Sequence, residues 1–518
     1  MKKTTTWVAL AVGMVAVTAL TSCSAGSSSS GGAEDDGVLT IAVATPPVSL
    51  DTLKAAGGAP GTWFESPAYA GFLDRDESGE FIPGLAESFG YVGEGNTDYE
   101  FTLREGLTFA DGTPLTAKEA ADSLTYFRDT TTGPSRAMYA PLTFTAVDDL
   151  TVHITSAQPT PLIPLLLTVS SLGGAPISPA GVADESARAS NTFGAGPYML
   201  DAAKTVSGDT YVYVPNENFW DQDAIEWDEI ELKVIANPTQ QAQALKTGQV
   251  DVIIGDASTA GTVTGEGLEQ IDAPTLTMNL FLMDRDGTIV PELADVRVRQ
   301  ALNYAIDRDA ITEAAYGEYG TPTAQSVIDG GPDYGYDATL DEVYPYDPKK
   351  AKQLLTDAGV SGLTLSATYL GFSPSDTTVA QAMASQLAEV GVTLDLKPEP
   401  DFGSWVNDLV SGQYASTLLT SSGNMYQQTQ FAWTPDAVMN TFRVTDQGVD
   451  DGLSVLAQSG EDDLEAAAQA LNRTVVEQAL AVTVASADTI YIFDSRKVSL
   501  WYIGDTGEIA APTSWTRP

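Results

Sequence analysis

Asn237-Pro238-Thr239-Gln240-Gln241-Ala242-Gln243-Ala244-Leu245-Lys246-Thr247-Gly248-Gln249-Val250-Asp251-Val252-Ile253-Ile254 reads as one complete helix-to-strand unit. Asn237 can cap a helix, and Pro238 suits its first position because the missing N–H has no partner there in any case. The helix predicted by this punctuation runs to Lys246, Gly248 ends it in a left-handed conformation, and 250–254 follows as a β-rich run. Helix and strand in immediate succession are the signal of a mixed α/β chain.

The same grammar recurs on the C-terminal side. Asp347-Pro348 opens a helix that Gly359 closes ahead of a strand at Leu363-Thr364-Leu365-Ser366-Ala367. A helix over about 378–390 ends at Gly391, before the alternating Val392-Thr393-Leu394-Asp395-Leu396. Towards the N-terminus, Thr116-Ala117-Lys118-Glu119 has the form of a capping box and predicts a helix to about Phe127. Asp295 precedes a helical stretch through Leu302 and Ile306. No period of 20 to 50 residues repeats, which argues against a solenoid. Roughly 480 residues downstream of the leader exceed what one hydrophobic core serves, so at least two lobes are expected.

The leader itself is legible. Lys2 and Lys3 precede an uncharged apolar stretch from Trp7 to Leu20, too short for a stable span, and then Leu20-Thr21-Ser22-Cys23. Residues 1–22 read as an export signal, and Cys23, the single cysteine, sits where a bacterial lipobox places its lipidated residue. Two acyl chains on Cys23 would anchor the chain stably to the outer face of a membrane. Ser/Gly-rich and acidic residues 23–37 form a tether with a reach of about 20 Å.

Composition removes whole classes of function. The formal charge is −45, from 70 acidic and 25 basic residues, which disfavours nucleic acid as a partner. It favours solubility, and its field would attract a cationic ligand. With Cys23 lipidated no thiol is left, so cysteine nucleophiles and Cys/His metal sites are excluded. His153 is the single histidine, in the alternating Leu150-Thr151-Val152-His153-Ile154-Thr155, and reads as structural. Asp74-Arg75-Asp76-Glu77-Ser78-Gly79 begins like a calcium loop, but its twelfth position is Leu85 where a glutamate is required; it reads as a solvated turn between strands. Glu461-Asp462-Asp463 places acid at the start of a helix over 464–480, where it complements the dipole.

In chain order, Leu39-Thr40-Ile41-Ala42, Ser49-Leu50-Asp51, Tyr99-Glu100-Phe101-Thr102-Leu103-Arg104-Glu105-Gly106, Phe109-Ala110-Asp111-Gly112-Thr113-Pro114-Leu115-Thr116-Ala117, Gly194-Ala195-Gly196-Pro197-Tyr198 and Asn216-Glu217-Asn218-Phe219-Trp220 follow one another as short motifs. They continue with Asp295-Val296-Arg297-Val298-Arg299-Gln300-Ala301-Leu302-Asn303-Tyr304-Ala305-Ile306-Asp307-Arg308 and Tyr346-Asp347-Pro348. Together this order resembles the family 5 extracellular solute-binding proteins, the peptide- and nickel-binding receptors of ABC importers. The resemblance implies an α/β fold of the periplasmic-binding-protein type (type II, cluster C-like), with two lobes, a hinge, a central ligand cleft and a small inserted subdomain. It implies lobe I at 38–278 and 484–518, with the insertion at about 68–190, and lobe II at 279–483.

In peptide-binding members of that family a strand leads into a Trp-x-x-Asp stretch whose aspartate pairs with the peptide's α-ammonium. Laid on residues 414–431, the resemblance puts Ser421 at the tryptophan and Asn424 at the aspartate. Here the chain departs from the pattern: asparagine brings no counter-charge, a buried unpaired cation is costly, and no acid follows before Asp436. The surrounding amides and aromatics, among them Tyr426, Gln427, Gln428, Phe431 and Trp433, suit neutral hydrogen bonding and stacking. The expected ligand-binding set is Trp63, Phe64, Trp405, Ser421, Ser422, Asn424, Met425 and Tyr426, with core packing the competing reading for each aromatic. Trp220 and Trp227 read as core or edge packing.

The function implied is a lipid-anchored receptor that captures a small solute, a peptide or peptide-like compound by family, and delivers it to an ABC permease and its ATPase. An oligosaccharide or metal chelate is the alternative ligand. A surface hydrolase is the weaker alternative, since no paired acid motif stands out. A monomer without catalytic activity or cofactor is expected.

Overall fold

The computed structural model describes residues 37–54, 61–131, 134–171, 173–257, 259–371, 374–400, 402–503 and 508–518. The export signal, Cys23 and all of the expected tether but Gly37 lie outside the described residues.

Local signals set the helix ends. Asn237 accepts from the Gln240 N–H at 3.0 Å, the helix is Pro238–Lys246, and Gly248 has φ +68°. Asp347 accepts from the N–H groups of Lys349 and Lys350 ahead of helix Pro348–Asp357, which Gly359 stops at φ +76°. Helix Pro374–Glu389 begins earlier than the sequence suggests and ends before Gly391, at φ +87°. Helix Ala117–Thr130 starts where the capping box predicts, but by half a box: Thr116 accepts from the Lys118 N–H, while its hydroxyl donates to the Glu119 carboxylate. The stretch after Asp295 is two helices. Val296–Tyr304 stops short of Ile306, and Asp307 caps a second helix, Arg308–Tyr316, by accepting from the Ala310 N–H at 3.1 Å. Ile306, fully buried, lies in the corner between them. The acidic start at 461 is as expected, in a helix that runs Glu461–Glu477.

Among the described residues, most of the strands assemble into one eleven-stranded sheet. On one side Val38–Val43 lies between the parallel strands Glu229–Val234 and Val252–Gly255. On the other, Leu363–Leu370 lies between the parallel strands Val392–Glu399 and Ser416–Ser421. A long antiparallel ribbon, Leu268–Leu282 with Ala481–Asp494, joins them, in a register running from Leu268 opposite Asp494 to Phe281 opposite Ala481. One end of the ribbon carries Val252–Gly255 against residues 490–493, and the other carries Ser416–Ser421 against residues 277–282. Midway the register slips between Pro274 and Leu276, where proline withholds a ladder N–H. A smaller antiparallel sheet, in the order Ala86–Tyr91, Asp98–Leu103, Thr151–Ser156, Leu142–Ala146, packs on helix Ala117–Thr130.

The apolar core is divided accordingly. Leu39, Ile41, Tyr198, Trp227, Ile230 and Trp515 belong to one cluster, and Leu280, Leu302, Leu365, Met383 and Val484 to another. The small sheet has its own core, including Phe72, Phe101, Leu124 and Ile154. A fourth gathers Phe281, Trp405, Trp433, Leu456 and Leu471 among the C-terminal helices. Full burial of each such side chain is worth about 1.5–3 kcal/mol, so each cluster stabilises the elements that carry it.

Candidate functional site

A cavity of about 1320 Å³ opens between these bodies. That exceeds the volume of a drug-sized pocket and suits a ligand as large as a short peptide. Its wall is drawn from the loop after the first strand, the inserted small-sheet body, the middle of the ribbon, and, from the opposite half, Asp333 and Tyr334 with the turn that carries Ser422, Asn424 and Tyr426.

The expected ligand-binding residues divide into two groups. Trp63, Ser422, Asn424 and Tyr426 are on the cavity wall. Trp63 presents little of itself there, because its ring is held edge-on against Trp515, with centroids 5.4 Å apart, and lies beside Tyr491. Phe64, Trp405, Ser421 and Met425 are not on the wall. Phe64 packs against Tyr211 at 5.0 Å, Trp405 donates its indole N–H to Thr417 Oγ1 at 3.0 Å, and Met425 is fully buried among the C-terminal helices. Ser421 is a ladder residue whose hydroxyl accepts from Asn279 at 3.0 Å. The alternation of the Ser416–Ser421 strand turns it inward, away from the cleft.

Asn424 is the N-cap of helix Met425–Ala432. Its Oδ1 accepts from the Gln427 N–H at 3.0 Å, and Gln427 Oε1 accepts in return from the Asn424 N–H at 3.0 Å, a full capping box. The acceptor of its side chain is therefore committed to the backbone. Its Nδ2 donates to Asp333 Oδ2 at 2.8 Å. The carboxylate that sequence reading finds missing at position 424 thus arrives from 91 residues upstream. Asp333 lies in the short helical turn Pro332–Tyr334, between Gly331 at φ +114° and Gly335 at φ +67°. Desolvation pushes its pKa up, against the Asn424 hydrogen bond and the pull of the Arg75 guanidinium.

The cleft is accordingly acidic, contrary to the neutral character expected from 421–433. Asp74, Asp221, Asp256, Asp333, Asp376 and Asp488 line it, and Arg75 is the one basic residue among its described lining residues. Asp74 is accessible, yet desolvation raises its pKa, as fits a carboxylate opening into an enclosed space. Asp488, on the ribbon, is pushed up to about 6 by desolvation and then by Asp272. Ionised carboxylates in a low-dielectric wall favour a cation more strongly than the same groups would on the surface.

Two further readings are extended by the fold. Trp220 is 42 % exposed and packs at an edge, with the Arg104 guanidinium stacked 4.1 Å from its ring and Phe219 beside it, and it also faces the cavity. Trp227 is buried, and its indole N–H donates to the Trp515 carbonyl at 3.1 Å. The 74–79 segment is the expected turn between strands Leu73–Arg75 and Phe81–Pro83, with Asp76 accepting from the Ser78 and Glu80 N–H groups, but Asp74, Arg75 and Gly79 also face the cavity. His153 lies in strand Thr151–Ser156, its Nε2 3.4 Å from Asp98, and does not line the cleft. Gly-Gly-Pro-Asp-Tyr-Gly at 330–335 signals a tight turn; nothing local could have placed its aspartate beside Asn424.

Comparison with known proteins agrees with this architecture. Residues 80–441 match the model of the bacterial extracellular solute-binding proteins, family 5. The glutathione-binding protein GsiB of Escherichia coli (strain K12) is 30 % identical over 334 residues, 62 % of this chain and 62 % of the relative. The match thus spans under two thirds of that relative's length. Among solved structures, the murein tripeptide binding protein MppA of Escherichia coli superposes with a TM-score of 0.78 at 21 % identity, over 93 % of this chain and 98 % of that one. NikZ from Campylobacter jejuni, in complex with Ni(L-His), gives 0.76 at 19 % identity over 93 % and 100 %. With a two-lobed α/β body, a cavity between its parts and a family match over most of its length, the chain belongs to the bacterial extracellular solute-binding proteins, family 5.

Proposed function

We propose that this protein is the substrate-binding receptor of an ABC importer, held on the outer face of the cell membrane through lipidated Cys23. It captures a small solute by closing two lobes, 38–278 with 484–518 and 279–483, and delivers it as a monomer to a permease served by a separate ATPase. Catalysis has no part in this cycle. The ligand drives closure only through contacts it makes better in the closed state, so groups from both lobes at the cavity decide the affinity.

The observation that carries the reading is the Asp333–Asn424 pair on the wall of the cavity. It supports a peptide or peptide-like ligand with a free ammonium: Asp333 supplies the counter-charge, and Asn424 fixes the carboxylate while capping its own helix. Trp220 and Trp501 on the same wall favour, as a second reading, a flat-faced ligand such as an oligosaccharide or a metal chelate.

The test is titration calorimetry with trialanine, its N-acetylated form, glutathione, maltotriose and nickel–histidine. Binding of trialanine or glutathione, with loss on acetylation and at least about thirtyfold weakening by Asp333→Asn, is expected, since stripping one partner from a buried charge pair costs about 2–5 kcal/mol. Binding of maltotriose alone, indifferent to Asp333→Asn, would replace the peptide reading with the sugar one.

A further inference from the structure

The last carbonyls of a helix have no intrahelical donor, and each needs a partner from outside when it is not left to water. Helix Gln447–Gln458 ends at Ser459, one residue before Gly460 and the start of helix Glu461–Glu477. Its final carbonyls are met from a distant part of the chain: Asn96 Nδ2 donates to the Ala457 carbonyl at 3.1 Å and to the Ser459 carbonyl at 3.2 Å. Asn96 is at the tip of the hairpin between strands Ala86–Tyr91 and Asp98–Leu103, in the inserted body.

That tip is built to present the amide. Gly93, Gly95 and Asn96 all have positive φ, +82°, +91° and +53°, and asparagine is among the few side chains that tolerate the last. The backbone on either side is pinned, with the Thr160 N–H donating to the Asn96 carbonyl at 2.9 Å and the Ser156 N–H to the Thr97 carbonyl at 2.7 Å. An amide donor also suits the negative end of the helix dipole. The helical pair it touches forms part of the cavity wall through Leu456 and Leu464. The hairpin and this pair belong to separate apolar cores, and the chain passes between the two halves only along the long ribbon. Tyr426, which packs against both cores, is a further tie across the same seam, so the Asn96 contact adds a directional polar link to an apolar one.

We infer that Asn96 is a clasp, whose side-chain amide caps helix Gln447–Gln458 from the opposite half of the molecule and holds the cavity shut, setting how long a solute stays. The inference rests on the cavity being the solute site of a closing receptor. It makes Asn96 a positioning residue, since its amide is used up on the two carbonyls.

The test measures opening directly. Cysteines are introduced at the exposed Val206 and Val410, one in each half, in the full chain carrying Cys23→Ser, and spin-label distances are recorded with Asn96 intact, with Asn96→Gly and with Asn96→Asp. Both substitutions keep the positive φ; the aspartate also turns a donor into an anion against a helix C-terminus. The intact chain is expected to show a short-distance closed population. Loss of two amide hydrogen bonds should lower the closed-to-open ratio about tenfold in Asn96→Gly, and further in Asn96→Asp. A closed population that both variants leave untouched overturns the clasp alone. A single distance in every variant, indifferent to added trialanine or nickel–histidine, overturns the clasp and the receptor reading together.

Discussion

Arg188→Leu should destabilise the protein more than the double variant Asp51→Asn/Arg188→Leu. Both side chains are 1 % exposed, with Arg188 Nε 3.1 Å from Asp51 Oδ1. The guanidinium also donates to the Tyr126 hydroxyl at 2.8 Å and to the carbonyls of Gly181 and Val182. Asp51 keeps little else: Oδ1 accepts from the Leu53 N–H at 3.2 Å, and Oδ2 has no partner. Removing the guanidinium therefore strands a buried carboxylate, at about 3–5 kcal/mol. Asp51→Asn leaves the guanidinium its carbonyl and tyrosine acceptors, and about 1–3 kcal/mol is expected. In the double variant no charge is stranded, so it should recover about 2 kcal/mol relative to Arg188→Leu, a coupling readable in a double-mutant cycle. The assay is urea unfolding followed by tryptophan fluorescence, with the midpoint and slope compared for all four chains. Additive losses, or an Arg188→Leu loss below about 1 kcal/mol, would refute the idea that this pair ties the loop after the first strand to the inserted body.

Other outcomes follow from single sites. Glu65 is 1 % exposed with both carboxyl oxygens unpartnered, and desolvation pushes its pKa from 4.5 to about 8. The folded chain keeps a proton that the unfolded chain has released, so stability should fall as pH rises from about 4.5 to 8; Glu65→Gln should flatten that slope in urea titrations across the window. Trp227→Ala should cost about 3–5 kcal/mol by the same assay, since it empties a core site and leaves the Trp515 carbonyl without its donor. Asn424→Ala should lower the melting temperature through loss of the cap, about 1 kcal/mol, and weaken trialanine capture by freeing the Asp333 carboxylate to turn.

Residue order alone determined what depends on near neighbours. Asn237-Pro238 with Gly248, Asp347-Pro348 with Gly359, and Gly391 are caps and stops whose partners lie within four residues, so the α/β grammar was readable before any fold was known. The single cysteine and the excess of acid belong to composition and are independent of conformation. The resemblance that pointed to the two-lobed architecture likewise lies in motif order. The wall of the cleft was settled differently. Trp405 and Met425 read as ligand contacts because they lie close to or within the family's binding stretch, but each sits on a helix face turned into the core. Trp220 packs at an edge as its sequence context suggests, but only the fold puts it on the cavity wall. Asp333 could not be assigned at all, because the hydrogen bond that makes it a site residue joins two turns 91 positions apart. Caps and turns are satisfied within one turn of chain, and sequence shows them; a binding wall is made of side chains whose only link is that several packed bodies leave the same space unfilled.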